Sequence, residues 1–559
     1  MTKSTKPTGA TIIADVIEKH EKVDTIFFVD AVLRYTLLQL EERGIKRILA
    51  HSEKAAAYMA DGYARVSGKT GVCMAQAVGA ANLAAGLQDG YLDRVSMLAL
   101  TGRKADTHLD RNAYQEVAHG PMYSSVTNYT AQVRTVEELP RMLGNALRAT
   151  RTNTPRPAHL DLDGLKGDKV EEATFEGNAA LLDFPASGIS KPGLPHVDAL
   201  NEAAELIKNA KKPMLVAGVS SLYSKAGAGL KALAEAAGIP VATSVGGRSV
   251  IETSHPNHFG IVGTYSAPYA NELLAEADLV IYVGCHMGDQ ISCDWTIPAL
   301  GTNIIQIDTD AAELGRGYPN VLGLCGDLND TCQALSGISG EATSDDWLTK
   351  CTSAAQTWLE TSMAGIRTET GLIPAPRLAY EVGEALPDNG VVVADTGFSA
   401  TWTAQYTAFD KPGQTYLRAA GSLGWAFPAA LGAALGAPDR PVVCFTGDGA
   451  LYYHIGELET MRRWNIPMVL VVNNNSALGQ GLRSVKKLYS ERDGNLGDLV
   501  EFQKNNFADM AKTYGIKSFR VEKVEDIRPT IEQAIALREP VVVDVVTDPD
   551  SNPEPAWLV

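Results

Sequence analysis

Short runs rich in Val, Ile and Leu recur along the chain, each followed by a stretch whose apolar residues fall three and four positions apart. The runs form three groups. The first comprises residues 26–29, 47–51, 71–76, 96–102 and 158–163, with Ala-rich helical stretches such as 53–66 between them. The second comprises 213–218, 240–244, 279–284 and 303–308; the third comprises 391–395, 441–448, 467–474 and 540–548. Strand alternating with helix predicts parallel sheets covered on both faces. The expected fold is therefore α/β, with three doubly wound parallel-sheet domains at 1–180, 195–340 and 370–549, and a tail at 550–559. A polar stretch with Pro and Gly, about 170–195, separates the first two groups. Residues 337–375 read as polar and helical, with no strand.

Composition narrows the class. The 559 residues are 45% apolar and 21% charged, which suits a compact globular chain rather than a disordered or fibrous one. Acids outnumber bases 66 to 49, a net charge of −17 that repels phosphate backbones. No nucleic acid and no anionic membrane is expected as a partner. No apolar run reaches the roughly 20 residues needed to cross a bilayer, and the first residues lack the apolar core of a secretory signal. Seven Cys without a C-x-x-C pair argue for reduced thiols, hence a cytoplasmic protein.

In open parallel sheets, ligands gather beyond the carboxyl ends of the strands. In the third group one strand ends in Gly447-Asp448-Gly449-Ala450 and the next in Asn474-Asn475-Ser476-Ala477. Asp448 and Asn475 are 27 residues apart, about one strand–helix–strand unit. A carboxylate and an amide oxygen thus arrive at one sheet edge. That pair suits Mg²⁺, which takes one or two protein oxygens and completes its octahedron with phosphate and water. Gly447 and Gly449 would let the backbone approach a phosphate. A G-D-G alone is also an ordinary strand-to-helix turn; the asparagines at this spacing favour the metal reading.

G-D-G followed by N-N at this distance resembles the diphosphate-binding motif of thiamine-diphosphate-dependent enzymes. His51-Ser52-Glu53 and the Ala-rich helix after it resemble the segment that carries the activating glutamate in the acetohydroxyacid synthase, pyruvate oxidase and benzaldehyde lyase group. Tyr114-Gln115-Glu116 matches its F-Q-E stretch, and Gly421-Ser422-Leu423-Gly424 lies in a segment like the one that supports the bent cofactor. The likeness covers essentially the whole chain in order. It implies thiamine diphosphate and Mg²⁺ as cofactors, with a pyrimidine-binding, a central and a diphosphate-binding domain.

The resemblance also implies roles. Glu53 would act on the pyrimidine ring and is the leading catalytic candidate; Gln115 and Asp30 are further ones. Leu423, with Ser422, would support the bent cofactor. Asp395, Thr396, Gly397, Phe398 and Ser399 would serve the diphosphate, as would Gly447, Gly449, Ala450, Leu478 and Gly479. Asp448, Asn475 and the Ala477 carbonyl would hold the metal. Glu53 would reach a cofactor held by another subunit, so a homodimer or homotetramer with active sites at the interface is implied.

The chain departs from its relatives in places. The first substrate loop reads Phe27-Phe28-Val29-Asp30-Ala31 where relatives have F-G-x-P-G or F-G-x-H-G, so glycine is lost and an acid enters the loop; Asp30 is either a specificity or proton-transfer group or a solvated loop acid. His119 reads equally well as structural, and His51 as structural. The stretch Gly284-Cys285-His286-Met287-Gly288-Asp289-Gln290 lacks the arginine and acid pair of flavin-binding relatives, so FAD is not expected. Residues 481–498 and 550–559 could cover the site. The expected activity is cleavage or formation of a C–C bond next to a carbonyl in a small-molecule substrate: 2-keto acid decarboxylation and carboligation, acetolactate-synthase-like. Acyloin cleavage, cyclic-diketone hydrolysis and a non-catalytic binding homologue are the alternatives. A nicotinamide oxidoreductase is disfavoured, because no G-x-G-x-x-G follows a strand.

Overall fold

The computed structural model describes residues 6–183, 192–340, 345–367 and 371–557. Three six-stranded parallel sheets carry helices on both faces. The first holds β1 (Thr25–Phe28), β2 (Lys46–Leu49), β3 (Gly71–Ala75), β4 (Met97–Arg103), β5 (Tyr129–Val133) and β6 (Ala158–Asp163), ordered β2-β1-β3-β4-β6-β5. The second holds β7 (Pro213–Ala217), β8 (Val241–Thr243), β9 (His258–Ile261), β10 (Leu279–Val283), β11 (Asn303–Asp308) and β12 (Val321–Cys325), ordered β12-β11-β10-β7-β8-β9. The third holds β13 (Val391–Ala394), β14 (Thr415–Arg418), β15 (Val442–Gly447), β16 (Met468–Asn474), β17 (Lys517–Val521) and β18 (Val541–Val546), ordered β14-β13-β15-β16-β18-β17. The 22-residue helix Asp345–Ile366 joins the second unit to the third.

The thirteen strands expected from the sequence are present, and five more, β5, β9, β12, β14 and β17, were not legible. Each of the five lies at a sheet edge. An edge strand is covered less and needs fewer apolar residues: β17, Lys-Ser-Phe-Arg-Val, buries one of its five.

The first and third units lock together where the helix Glu53–Ser67 crosses the helix Ala426–Gly436. Ser52 caps the first, its hydroxyl accepting from the Ala55 amide at 3.1 Å. Gly68, at φ +69°, ends it in the left-handed conformation. At the crossing the backbones touch. A Cβ on Gly62 would lie 1.9 Å from the Ala429 carbonyl oxygen, and one on Gly432 would lie 1.8 Å from that of Met59.

A buried ionic network closes the same interface. The Arg65 guanidinium donates to both oxygens of Asp61, at 2.7 and 2.9 Å, to Asp93 at 2.7 Å and to the Arg418 carbonyl at 2.9 Å. Trp425 donates to Asp61 at 2.8 Å and lies under the guanidinium. The central unit is held by Arg94, which reaches from the first unit to Asp308 at 2.9 Å and Glu313 at 3.1 Å.

The crossing yields a test. Gly432→Ala should cost about 3 kcal/mol, the upper range for overpacking a tight contact. Gly337→Ala, in the helix Leu328–Ile338 where an added Cβ would meet open space, should gain about 0.5–1 kcal/mol. Urea midpoints of the two variants against the parent chain measure both.

Candidate functional site

The third sheet changes direction of build between β13 and β15, which are neighbours whose crossovers lead to opposite sides. Ligands settle in the crevice at such a point. A cavity of about 460 Å³ lies there, lined from four loops.

The first loop leaves β13. Asp395 is fully buried, and burial lifts its carboxyl to about 6 against the amides that pull it down. Its oxygens accept from the amides of Thr396, Gly424 and Ala426, each at 3.0 Å. The carboxylate therefore staples the turn 421–426 to the strand end, and Leu423 on that turn lines the cavity. Ser422, next to it, is not among the lining residues. Gly397, at φ +66° and ψ −143°, adopts a conformation other residues avoid, and opens the helix Phe398–Tyr406. Thr396, Gly397, Phe398 and Ser399 all face the cavity.

The second loop leaves β15. Asp448 is 2% exposed. Its Oδ1 accepts from the Gly449 amide at 2.7 Å, while its Oδ2 is buried without a hydrogen-bond partner. Burial raises its carboxyl to about 7, although the amides of Gly449, Ser476 and Ala477 favour the charge. The flanking glycines differ in their reasons. A Cβ on Gly447 would meet open space, the nearest atom being Ser399 Oγ at 3.8 Å. One on Gly449 would lie 2.7 Å from Leu478 and 2.9 Å from Phe502. Gly449 is demanded by packing.

The third loop leaves β16. The pairing Gly447↔Asn473 sets Asp448 and Asn475 at neighbouring strand ends. Asn474 turns away, donating to Asp544 at 2.8 Å and to the Asn505 carbonyl at 2.9 Å. Asn475 lines the cavity, its Oδ1 accepting from the Ala477 amide at 3.1 Å. Ala450, Ala477, Leu478 and Gly479 complete this wall. Among the described residues no three His, Cys, Asp or Glu gather as metal ligands. A cation here would draw on amide and backbone oxygens beside one carboxylate, a donor set for a hard ion such as Mg²⁺. The orphaned Asp448 Oδ2 fits that use.

Gly481, Ser484 and Ser551 supply the fourth wall, from the stretches 481–498 and 550–557; residues 558 and 559 of the expected cover lie outside the described residues. The two stretches are tied to each other: Arg483 donates to the Pro553 carbonyl at 2.9 Å, and Lys486 pairs with Asp550. Asn473 and Gln480 also line the cavity; neither is expected from the sequence, where adjacency to the asparagine motif is their one signal.

The N-terminal candidates lie elsewhere. None of Glu53, Gln115 and Asp30 lines this cavity. Glu53 opens its helix at the carboxyl edge of the first sheet and accepts from the Asn82 side chain at 2.7 Å. A Cβ on Gly79 would lie 2.5 Å from its Oε1, so that glycine clears room for the carboxylate. Gln115, at φ +58°, has a buried Oε1 without a partner. Asp30 is exposed and pairs with Arg34 at 3.1 Å; the Ala31 amide and Arg34 hold its carboxyl below the usual range. His119 is buried, with Nδ1 3.0 Å from Asp161. His51 bonds Glu459 at 2.8 Å. Gly288, Asp289 and Gln290 line a separate cavity of about 290 Å³ beside the central sheet.

Comparison with known proteins gives the same three units. Residues 7–122 match the thiamine pyrophosphate enzyme N-terminal TPP binding domain, 200–335 the central domain and 395–545 the C-terminal TPP binding domain. A probable acetolactate synthase large subunit of Methanococcus aeolicus is 29% identical over 97% of this chain and 92% of its own length. The acetolactate synthase large subunit of Corynebacterium glutamicum is 30% identical over 91% of this chain and 81% of its own. Acetolactate synthase isozyme 2 large subunit of Escherichia coli is 27% identical over 92% and 90%. The chain belongs to the thiamine pyrophosphate enzymes, in the acetohydroxyacid synthase and pyruvate oxidase group.

Proposed function

We propose that the protein is a Mg²⁺- and thiamine-diphosphate-dependent carboligase that decarboxylates a 2-keto acid and joins the remaining acyl unit to a second carbonyl compound, as acetolactate synthases do. The carrying observation is the buried Asp448 carboxylate with an orphaned oxygen, beside Asn475, in a cavity floored by Leu423. Asp448, Asn475 and the Ala477 carbonyl hold Mg²⁺. The amides of residues 396–399 and 447–450, with Leu478 and Gly479, receive the diphosphate at helix starts. Leu423, backed by Ser422 and Asp395, shapes the bound cofactor. When bound, the cofactor supplies the electron sink for chemistry next to a carbonyl.

Glu53 completes the site from a second copy of the chain. Its absence from the cavity of its own chain supports that arrangement, and with it a homodimer or homotetramer. Gln115 and Asp30 stand at the same domain's loops, where a substrate would enter. Seven free cysteines, and no helix among the described residues long and apolar enough to cross a membrane, support a cytoplasmic enzyme. The altered flavin segment supports catalysis without FAD.

Purified protein with thiamine diphosphate and Mg²⁺ should consume pyruvate and release CO₂, with acetolactate as product. Acyloin cleavage without any keto-acid turnover would replace this reading with the lyase one. Glu53→Gln should retain the cofactor yet lose about 10²–10⁴-fold in kcat, the scale of a lost acid–base partner; full activity would remove Glu53 from the mechanism. Chelation of Mg²⁺ should release the cofactor and added Mg²⁺ restore it, as followed by calorimetry. Asp448→Ala should show no such Mg²⁺-dependent uptake.

A further inference from the structure

A second cavity, of about 570 Å³, lies where all three units meet. Its walls place it away from the cofactor cavity. Arg94, Val95 and Ser96 precede β4, Gly413 and Gln414 precede β14, and Arg440 precedes β15, so it opens at the amino edges of the first and third sheets. The cofactor cavity lies at the carboxyl edge of the third sheet. The central unit contributes Lys225, Gly227, Ala228 and Lys231, from the segment after β7.

Its charge is one-sided. Arg65, Lys69, Arg94, Lys225, Lys231 and Arg440 line it, and no Asp or Glu does. In a chain with 66 acids and 49 bases, an all-cationic lining runs against the surface average. Four of the six are partnered behind the wall. Arg65 and Arg94 carry the buried pairs described above, although Arg94 is 3% exposed and its Nε has no partner. Lys69 pairs with Asp24, and Lys231 with Glu252 at 3.0 Å.

Lys225 and Arg440 have no carboxylate partner among the described residues. Arg440 is half-buried and fixed by neutral acceptors: the carbonyls of Asn389 and Gly413, each at 2.8 Å, and Thr415 Oγ1 at 2.7 Å. Its charge is held in place and left uncompensated. Lys225, from the central unit, is exposed. The helix Gly227–Ala237 lines the cavity with Gly227 and Ala228; its N-cap, Ala226, offers no side-chain acceptor, and the Gly229 amide is taken by Asn329 Oδ1 at 2.9 Å. The remaining lining includes Val66, Leu222 and Val250, an apolar strip that could seat an organic group.

We propose that this three-domain cavity binds a multiply charged phosphate anion, held by Lys225 and Arg440 with support from Lys69 and Lys231. The cations come from three separate units, and a chain of phosphoryl groups carries charge along its length to meet more than one of them. The volume falls in the range of small-molecule sites. Such an anion would bridge the N-terminal, central and C-terminal units and tighten their packing.

The test is calorimetric titration of the cofactor-saturated protein with inorganic tripolyphosphate, and in parallel with ATP, at fixed free Mg²⁺. It reads binding rather than turnover, so its result is independent of the proposed reaction. The expected result is saturable binding that weakens with salt and raises Tm. Lys225→Glu and, separately, Lys69→Gln should each weaken it about ten- to hundredfold, the loss of one charge-assisted contact, while cofactor retention is unchanged. Stronger binding of ATP identifies a nucleotide; equal binding identifies the phosphate chain alone. No saturable binding, equal affinity in both variants and the parent chain, or release of the anion by excess thiamine diphosphate would overturn the proposal.

Discussion

The structure depends on the contact between the helices Glu53–Ser67 and Ala426–Gly436, where glycine on each side lets backbone meet backbone. Contact at that distance leaves no space for water, so the polar groups around it must satisfy one another. Asp61, Arg65, Asp93 and Trp425 do so, with the Arg418 carbonyl as a further acceptor. Burial, with the nearby Asp89 charge, raises the Asp61 carboxyl, and the Arg65 guanidinium opposes that shift while its own charge is strongly retained. Removing one member would leave a buried charge uncompensated, which is far costlier than never having placed it.

That interface also sets the cavity. Asp89 of the first unit accepts from the amides of Ala420 and Gly421, and Arg65 binds the Arg418 carbonyl, so the segment leading to Leu423 is gripped from outside its own domain. Asp395 grips it from within. The turn beneath the cavity is thus preorganised by carboxylates on two sides. Asp448, like Asp89, is a buried carboxylate left one partner short, but it lines the cavity, where a divalent cation would supply what the protein withholds.

Legibility in the sequence followed burial. Central strands such as β10, Leu-Val-Ile-Tyr-Val, are covered on both faces and appear as unbroken apolar runs. The edge strand β17, Lys-Ser-Phe-Arg-Val, mixes polar residues and left no such run, and β12, Val-Leu-Gly-Leu-Cys, is broken by a glycine and buries one residue of five. Within the site, Asp448 and Asn475 were readable because one strand–helix–strand unit fixes their spacing. Gln480 and Ser551 line the same cavity through tertiary placement, which carries no local signal. Asp395 was readable as a strand-end acid, but its use on the amides of a turn 29 and 31 residues later was not. Gly449 likewise shows a backbone demand in the sequence, while its cause, the side chains of Leu478 and Phe502, emerges only in the fold.

The fastening of Arg483 to Pro553 and of Lys486 to Asp550 joins the helix Gly479–Leu488 to the end of the chain. Both links are exposed; the first is a hydrogen bond to a backbone carbonyl, and the second, an exposed ion pair, contributes at most about 1 kcal/mol. The rigid parts of the molecule hold the floor of the crevice, while its rim is secured by ties that ordinary thermal motion and dissolved salt can loosen. The mouth of the crevice is thus fastened more weakly than its base, by contacts that dissolved salt screens.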